Sequence, residues 1–481
     1  MEGNMSKDHM RKLRIAMFPW LAYGHIMPFL QVSVMLAENG HHVSFISTRS
    51  NLRGLPNLIP QHLSSLISFV ELPLPRVDGL PNSAESTSEL PMHLVPYLKK
   101  AYDLLRPSLA ELLRDSGPFD WIIQDFVSYW LPEIASSLGI DVALFMIFNA
   151  TVMAFFAPLS IGIGGRSLSN LEELTKAPEW FGYPTKVRFT VHEVSSHLMC
   201  MDSELSDFDR FALLLRSMKF LAIRCCREFE GEAVGILDRL ITIPTVPVGL
   251  LPPVILNRGG AHKNAGEPWA KLRSWLDNQK EKSVLYVAMG TEVTIEQAMI
   301  HEFASGLEES RVPFIWVVKD RPLMEGNCGS RLLPPGYEAR VEGRGFVWYG
   351  WAPQLDILAH SSVGGFLTHC GWSSTVEALG QGLALVLFSG ANSDQGLMAR
   401  LLHEKGVGIE IPRDEMDGSF TREAAAETIR RVMMDEEGER IRANAWSMRE
   451  VFSSMDLQKR YMAELIHALE YKKYGSISAR A

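Results

Sequence analysis

Short apolar runs alternate with longer amphipathic stretches in the first half of the chain. Strands are predicted at 13–18, 42–47, 120–124 and 142–148. Residues 26–38 repeat apolar positions at helical spacing and end at Asn39-Gly40, so they predict a helix between the first two strands. Strands that alternate with helices in this way are typical of a parallel sheet with helices on both faces.

A second set of such elements follows in the other half. Strands are predicted at 283–288, 314–318, 346–348, 363–368 and 384–387, and helices at 296–308, 421–434 and 437–471. Proline and glycine crowd into 242–267, as in a linker. We therefore predict an α/β protein with doubly wound domains at 1–245 and 269–450, joined by a linker at 246–268. The remaining residues, 451–481, are expected to form a helix that packs back on the first domain.

The run 142–164 has no charged residue and is long enough to cross a bilayer. Asn149, Pro158 and the glycines near its end interrupt the run, which favours a buried strand followed by the wall of a pocket. The polar N-terminus lacks the apolar core of a secretory signal. We therefore expect no membrane span.

Composition and charge exclude further classes. Lys and Arg number 47 against 56 Asp and Glu, a formal net charge of -9, so the chain lacks the basic excess of proteins that bind nucleic acid. The five cysteines lack the spacing of a zinc site and predict reduced thiols in a cytoplasmic protein.

The most informative segment follows the predicted strand 363–368. A His369-Cys370-Gly371 turn leads into a helix that is expected to begin at Ser373 or Ser374. The N–H groups and the positive dipole end of such a helix suit a diphosphate. Glu377, one turn into the helix, is placed to bind a ribose diol, and Trp351 offers a flat face for a base. Taken singly, each of these residues also fits a core or capping role.

From Trp351 to Gln395 the chain resembles the signature segment of the plant secondary-product UDP-glycosyltransferases, glycosyltransferase family 1, and the resemblance extends over nearly the whole chain. It implies the GT-B fold, in which two Rossmann-like domains face each other across a cleft and the second binds most of the donor. It also implies a UDP-sugar co-substrate, a small-molecule acceptor and no metal. We expect a monomer.

The resemblance implies roles for the donor-binding residues. Trp351 is expected to stack on uracil, Gln354 to contact base and ribose, and Glu377 to hold the ribose. The remaining expected donor contacts are Thr291, His369, Ser373 and Ser374 at the diphosphate, Trp372, Asp394 and Gln395 at the sugar, and Ala352 and Gly371 along the main chain. Gln395 usually accompanies UDP-glucose in this family. The sequence departs from the common pattern at Ser373, at Ser389 and at 390–393, which is one residue longer than usual.

A general base is expected in the first half. His25 and Asp125 each follow a predicted strand, and the carboxyl ends of parallel strands meet at one edge of a sheet. An imidazole has a suitable pKa to accept a hydroxyl proton, and a carboxylate beside it fixes its tautomer. A helix-start histidine and a helix cap are the structural alternatives. The resemblance implies that the two residues form the catalytic dyad of a single displacement that inverts the anomeric carbon.

A metal-dependent alternative would use Asp207-Phe208-Asp209, since an Asp-x-Asp motif holds manganese and UDP in the other major glycosyltransferase fold. Here the motif lies in the amphipathic stretch 204–215 with no apolar strand before it, which predicts exposed helix residues.

Acceptor specificity is less strongly indicated. An aromatic pocket in the first domain is predicted from Tyr23, Phe126, Met146, Phe148, Asn149 and Phe155. The stretches 74–81, 371–375 and 412–421 resemble family members that add a sugar to the sugar of a flavonoid or terpenoid glycoside. We expect that activity, with direct glucosylation of an aglycone as the alternative. A protein that binds a UDP-sugar or a hydrophobic metabolite without catalysis is the alternative from another class.

Overall fold

The structure, a computed structural model, describes residues 11–161, 171–198, 205–253, 266–290, 296–318, 332–389 and 394–470. The chain forms two units. Unit 1 comprises 1–165, 202–257 and 456–481, and unit 2 comprises 166–201 and 258–455. Residues 166–201, which we expected in the first domain, therefore belong to unit 2, where ion pairs such as Arg188–Glu415 hold the described part of this segment.

The described strands are β1 (Arg14–Phe18), β2 (His42–Ser47), β3 (Ile67–Glu71), β4 (Trp121–Gln124), β5 (Asp141–Met146), β6 (Leu221–Ile223), β7 (Thr245–Pro247), β8 (Val284–Ala288), β9 (Phe314–Val318), β10 (Gly345–Tyr349), β11 (Val363–Thr368), β12 (Ala384–Leu387) and β13 (Gly408–Glu410). The first seven form the sheet of unit 1, and the other six form that of unit 2.

The described helices are α1 (Tyr23–Glu38), α2 (Arg49–Leu52), α3 (Val95–Asp103), α4 (Arg106–Ser116), α5 (Leu131–Ser137), α6 (Ala150–Ile161), α7 (Leu171–Leu174), α8 (Val191–Leu198), α9 (Asp207–Leu215), α10 (Arg227–Leu240), α11 (Gly266–Asp277), α12 (Gln297–Ser310), α13 (Tyr337–Arg340), α14 (Gln354–Ala359), α15 (Trp372–Gly380), α16 (Gln395–Glu404), α17 (Arg422–Met433), α18 (Glu436–Phe452) and α19 (Met455–Glu470).

Both sheets are parallel and doubly wound. Their strand orders are β3-β2-β1-β4-β5-β6-β7 in unit 1 and β10-β9-β8-β11-β12-β13 in unit 2. Central strands such as β4, β8 and β11 are buried along their whole length, because helices cover both faces of such a sheet. This confirms the predicted fold class of two Rossmann-like α/β domains.

The long uncharged run near residue 150 forms β5 and then α6, whose described side chains are buried. Its second part is therefore a core helix. Within the described residues, no helix combines the length and the apolar character that crossing a membrane requires.

The C-terminal helical pattern forms two helices, α18 and α19, instead of the single helix predicted at 437–471. The second helix belongs to unit 1. There Trp121 Nε1 donates to the carbonyl of Leu469 at 2.8 Å, and Tyr461 Oη accepts from the N–H of Arg227 at 2.7 Å.

Candidate active site

His25 and Asp125 lie beside each other at the carboxyl ends of β1 and β4. These strands are neighbours, with Phe18 opposite Gln124, so the residues that follow them emerge at the same edge of the sheet. The Nδ1 atom of His25 is 2.7 Å from Oδ2 of Asp125. The carboxylate is fully buried, whereas 12% of the imidazole surface is exposed.

The surroundings of Asp125 fix the tautomer of the histidine. The N–H of Trp20 donates to Oδ2 at 3.1 Å and the N–H of Phe126 donates to Oδ1 at 2.8 Å. A carboxylate that receives these donors acts as the acceptor toward His25, so Nδ1 carries the proton in the neutral imidazole. In this tautomer Nε2 carries the lone pair and is the basic nitrogen of the ring.

Two of the predicted acceptor residues surround the imidazole. The ring of Phe126 lies 5.8 Å from that of His25 and the ring of Phe148 lies 6.1 Å from it, measured between centroids. Tyr23, in the same first turn of α1 as His25, is exposed. Phe126 is itself buried, so the aromatic surface near the base comes from Tyr23 and the half-buried Phe148.

The other predicted acceptor residues are part of the core of unit 1. Met146 is buried at the end of β5. The side-chain oxygen of Asn149 accepts from the N–H of Val152 at 3.0 Å, at the start of α6, and Phe155 packs against Phe156. Asn149 and Phe155 have no exposed surface, so neither offers contact area to a ligand in this structure.

In unit 2, β11 leads through a tight turn into α15. Cys370 has the left-handed φ of 68°, and Gly371 is the N-cap residue. The helix begins at Trp372, slightly earlier than predicted, and no described side chain caps it. The N–H groups of its first turn therefore concentrate positive potential there, as an anion site requires.

The imidazole of His369 lies between two glycines. A Cβ atom added to Gly290 or to Gly371 would lie 2.5 Å from the ring. Gly290 also has a φ of +72°, which favours glycine. The absence of side chains at both positions lets the backbone approach the ring closely and hold it beside the start of α15.

A hydrogen-bonded chain joins three elements around Gln354, the first residue of α14. The buried Tyr286 hydroxyl donates to Oε1 of Gln354 at 3.3 Å. The amide nitrogen of Gln354 donates to Oε2 of Glu377 at 2.7 Å and to Oγ of Ser374 at 3.2 Å. Burial, and then the charge of Glu377, raise the pKa of Tyr286 far above its usual value, so this hydroxyl stays a donor.

Trp351 is 70% exposed. The indole N–H of Trp348 donates to the carbonyl of Trp351 at 3.2 Å, and the carbonyl of Ala352 accepts from the N–H of Gln354 at 2.8 Å. These bonds hold the segment that leads into α14. The structure thus brings Gln354, Ser374 and Glu377 together. Trp351 lies just before Gln354 in the sequence.

The predicted sugar contacts differ from one another in their surroundings. Asp394 is the N-cap residue of α16, and Gln395, 4% exposed, begins that helix. Among the described residues, the buried Oε1 of Gln395 has no hydrogen-bond partner. The side chain of Trp372 is buried against Phe452. Thr291 and residues 390–393 lie outside the described residues.

Sequence reasoning missed two residues that hydrogen-bond to elements carrying predicted donor-binding residues. One is Tyr286, which looks like a core residue of β8. The other is Glu193, which pairs with Arg400 of α16 through two hydrogen bonds at 2.8 and 2.9 Å. Thr190 three residues before Glu193 is the pattern of a helix start, but that pattern does not reveal a partner 207 residues away.

The Asp-x-Asp motif occupies the first turn of α9, as predicted for helix residues. Asp207 pairs with Lys99 at 2.6 Å, and the hydroxyl of Ser206 donates to Asp209 at 2.6 Å. In the part of the chain that the structure describes, no group of three or more His, Cys, Asp or Glu residues could hold a metal ion.

Two doubly wound α/β units of this kind form the GT-B fold of the plant UDP-glycosyltransferase structures. A sequence model of the family "UDP-glucoronosyl and UDP-glucosyl transferase" matches residues 186–441. The chain belongs to this family, and it is a UDP-dependent hexosyltransferase that uses a UDP-sugar as co-substrate.

Curated relatives support the family, and a solved structure shares the fold. UDP-glycosyltransferase 91C1 of Arabidopsis thaliana is 44% identical over 97% of this chain and 98% of its own length. Soyasaponin III rhamnosyltransferase of Glycine max is 38% identical over 98% of each chain. The crystal structure of Glycyrrhiza uralensis UGT73P12 complexed with glycyrrhetinic acid 3-O-monoglucuronide matches with a TM-score of 0.77 and 24% identity, over 95% of this chain and 96% of that one.

Proposed function

We propose that the protein transfers glucose from UDP-glucose to a sugar hydroxyl of a flavonoid or terpenoid glycoside, with inversion at the anomeric carbon. The observation that carries the proposal is the 2.7 Å contact between Nδ1 of His25 and the buried Asp125 carboxylate. In this arrangement Nε2 is the basic nitrogen of an imidazole that lies beside the half-buried ring of Phe148.

In the proposed reaction, Nε2 of His25 takes the proton of the acceptor hydroxyl. The acceptor oxygen forms a bond to the anomeric carbon as the bond from that carbon to the diphosphate oxygen breaks, and UDP leaves with the electron pair. Asp125 stabilises the imidazolium that forms. The positive start of α15 stabilises the negative charge of the diphosphate.

The donor half of the proposal rests on unit 2. Glu377, whose Oε2 accepts from the amide of Gln354, is the proposed contact to the ribose diol. A buried amide oxygen without a partner costs about 1–3 kcal/mol, and a hydroxyl of the donor sugar could satisfy Oε1 of Gln395. Glucose is proposed because Gln395 occupies the place that accompanies UDP-glucose in the family.

The acceptor half rests on similarity and on the surroundings of His25. The soybean relative is named for action on soyasaponin III and for transfer of rhamnose, so a terpenoid glycoside is a reasonable acceptor class and UDP-rhamnose a competing donor. Direct glucosylation of a flat aglycone is the second candidate, favoured by the rings of Phe126 and Phe148 beside the imidazole. We place this activity in the cytoplasm because the described cysteines are unpaired thiols.

The test is UDP release together with the mass of the product. The full chain is incubated with UDP-glucose or UDP-rhamnose and with quercetin, quercetin 3-O-glucoside or a triterpenoid monoglycoside. We expect a gain of one hexose on a glycoside and little on quercetin. A hexose gained only by quercetin would support the aglycone alternative, and UDP binding without release on any acceptor would support a non-catalytic binder.

A further inference from the structure

Glu193 lies in a buried cluster of charges at the side of α16. Its two carboxylate oxygens accept from both terminal nitrogens of Arg400, at 2.9 and 2.8 Å. The side chains are 7% and 11% exposed, and Arg400 also lies 3.4 Å from Glu410. A buried pair of this bidentate form fixes geometry, because separating it would leave a charge without a partner in the protein interior.

The carboxylate of Glu193 also packs against the first turn of α16. A Cβ atom on Gly396 would overlap the carboxylate, so a glycine is required at this position. Arg400, one turn further along, donates to the carbonyl of Gly396 at 2.5 Å. Glu193 therefore contacts the helix directly next to Asp394 and Gln395, the proposed sugar contacts.

A second contact of Glu193 reaches the end of β12. The side chain of Ser389, which is buried, faces this carboxylate and lowers its pKa. Burial alone would raise the pKa of Glu193, but Arg400, Ser389 and the N–H of Thr190 hold it below its usual value. Glu193 therefore stays ionised. It contacts Ser389, which precedes α16, and Gly396 in the first turn of that helix.

We propose that Glu193 is a positioning residue for the donor sugar, which acts through Gly396 and Arg400 to set the place of Asp394 and Gln395. The inference rests on the proposed function of those two residues. It assigns to α8, which comes from the first half of the sequence, a role in the donor site of unit 2. The buried, unpartnered Oε1 of Gln395 is the atom whose placement this role controls.

A purely structural role would make Glu193 one of several contacts that hold 171–198 on unit 2. The chain offers a control for that alternative in Arg188 and Glu415, which pair at 2.9 Å with side chains that are 36% and 58% exposed. This pair joins the same segment to the same unit, but none of its described hydrogen bonds involves α16. Loss of the Arg188–Glu415 pair therefore affects only how the segment is held on unit 2, whereas loss of the Glu193–Arg400 pair also affects the position of α16.

The experiment compares Glu193→Gln with Arg188→Gln in the full chain. Glutamine can still accept from the N–H of Thr190, as in a capping box, but it lacks the charge that pairs with Arg400. The KM and kcat for UDP-glucose are measured by UDP release, and the Kd of UDP and the melting temperature are measured for the same preparations. Ser389→Ala, a smaller change at the same carboxylate, is measured as well.

For Glu193→Gln we expect the KM for UDP-glucose to rise about fivefold or more while the Kd of UDP changes less than about twofold. Arg188→Gln is expected to match the wild type in both. Equal weakening of UDP and UDP-glucose, or unchanged constants for UDP-glucose, would overturn the inference.

If Glu193→Gln does not fold, Ser389→Ala decides by the same criterion. A wild-type protein that binds UDP but transfers nothing from UDP-glucose would contradict the proposed function. An unaltered KM in the variant beside an active wild type would contradict only the positioning role.

Discussion

The amide nitrogen of Gln354 donates to Oε2 of Glu377 at 2.7 Å, which joins the first residue of α14 to the middle of α15. The buried Tyr286 hydroxyl fixes the other end of this amide, so the amide orientation is set by the fold. A carboxylate held in this way is ready to accept from two neighbouring hydroxyls without first reorganising.

Glu377→Gln should weaken UDP binding about 10- to 100-fold, because hydrogen bonds to a charged group contribute about 1.5–3 kcal/mol. The measurement is calorimetric titration with UDP. Glu338→Gln, an exposed partner of Tyr349 in the same unit, is the control and should bind like the wild type. A wild-type Kd in Glu377→Gln would remove Glu377 from the ribose site.

Gly371→Ala should displace the His369 imidazole, since the added Cβ would lie 2.5 Å from its ring. We expect UDP affinity to fall about tenfold, as for the loss of one charge-assisted hydrogen bond. Gly380→Ala, in the last turn of the same helix, meets its nearest neighbour at 3.6 Å and should be neutral or slightly stabilising. Equal UDP affinity in both variants would argue against a tight cradle around His369.

Glu410 should make stability depend on pH. Burial raises its pKa to about 7 and the charge of Glu193 adds to the rise, while Arg400 opposes it. The unfolded carboxyl ionises near 4.5, so between the two values the folded state binds more protons, and the free energy of unfolding falls as pH rises.

Glu410→Gln should remove this fall, which amounts to at most about 3 kcal/mol. The free energy of unfolding should fall from pH 5 to pH 8 in the wild type but not in the variant. Denaturant unfolding of both proteins at both pH values measures this difference. Parallel pH dependence in the two proteins would show that Glu410 ionises normally in the fold.

Gln458 of α19 should be important for the stability of unit 1. Its Oε1 accepts from the N–H of Leu251 at 2.8 Å and its Nε2 donates to the carbonyl of Val248 at 2.7 Å, both in a buried setting. Gln458→Ala leaves two buried main-chain groups unpaired and should cost about 2–4 kcal/mol in the free energy of unfolding. Lys459→Ala, the exposed next residue, should change it little.

The sequence predicted the elements whose pattern is long and unambiguous. The strands at 42–47, 314–318, 363–368 and 384–387 have the predicted bounds. The missed strands β3, β6, β7 and β13 are short or lie at or near a sheet edge, and β7 ends in Pro247, which argues against a strand in sequence reasoning. The break between α18 and α19 has no proline or glycine to mark it.

The proximity of His25 and Asp125 could be predicted from the order of the strands along the chain. His25 and Asp125 follow neighbouring parallel strands, so their meeting follows from the sheet. Asn149 and Phe155 are fully buried, and sequence reasoning did not foresee this because a buried helix and a pocket wall have the same apolar pattern. The Glu193–Arg400 contact depends on where the described part of 166–201 packs, and local pattern contains no information about that.

The most direct test of the account is the rate of product formation by His25→Ala and Asp125→Asn, measured beside the Kd of UDP. His62→Ala, an exposed histidine of unit 1, is the control. We predict a loss of about 10²- to 10⁴-fold in kcat for both site variants with UDP affinity unchanged, because base catalysis is removed and donor binding is not. Wild-type turnover in His25→Ala would contradict the account.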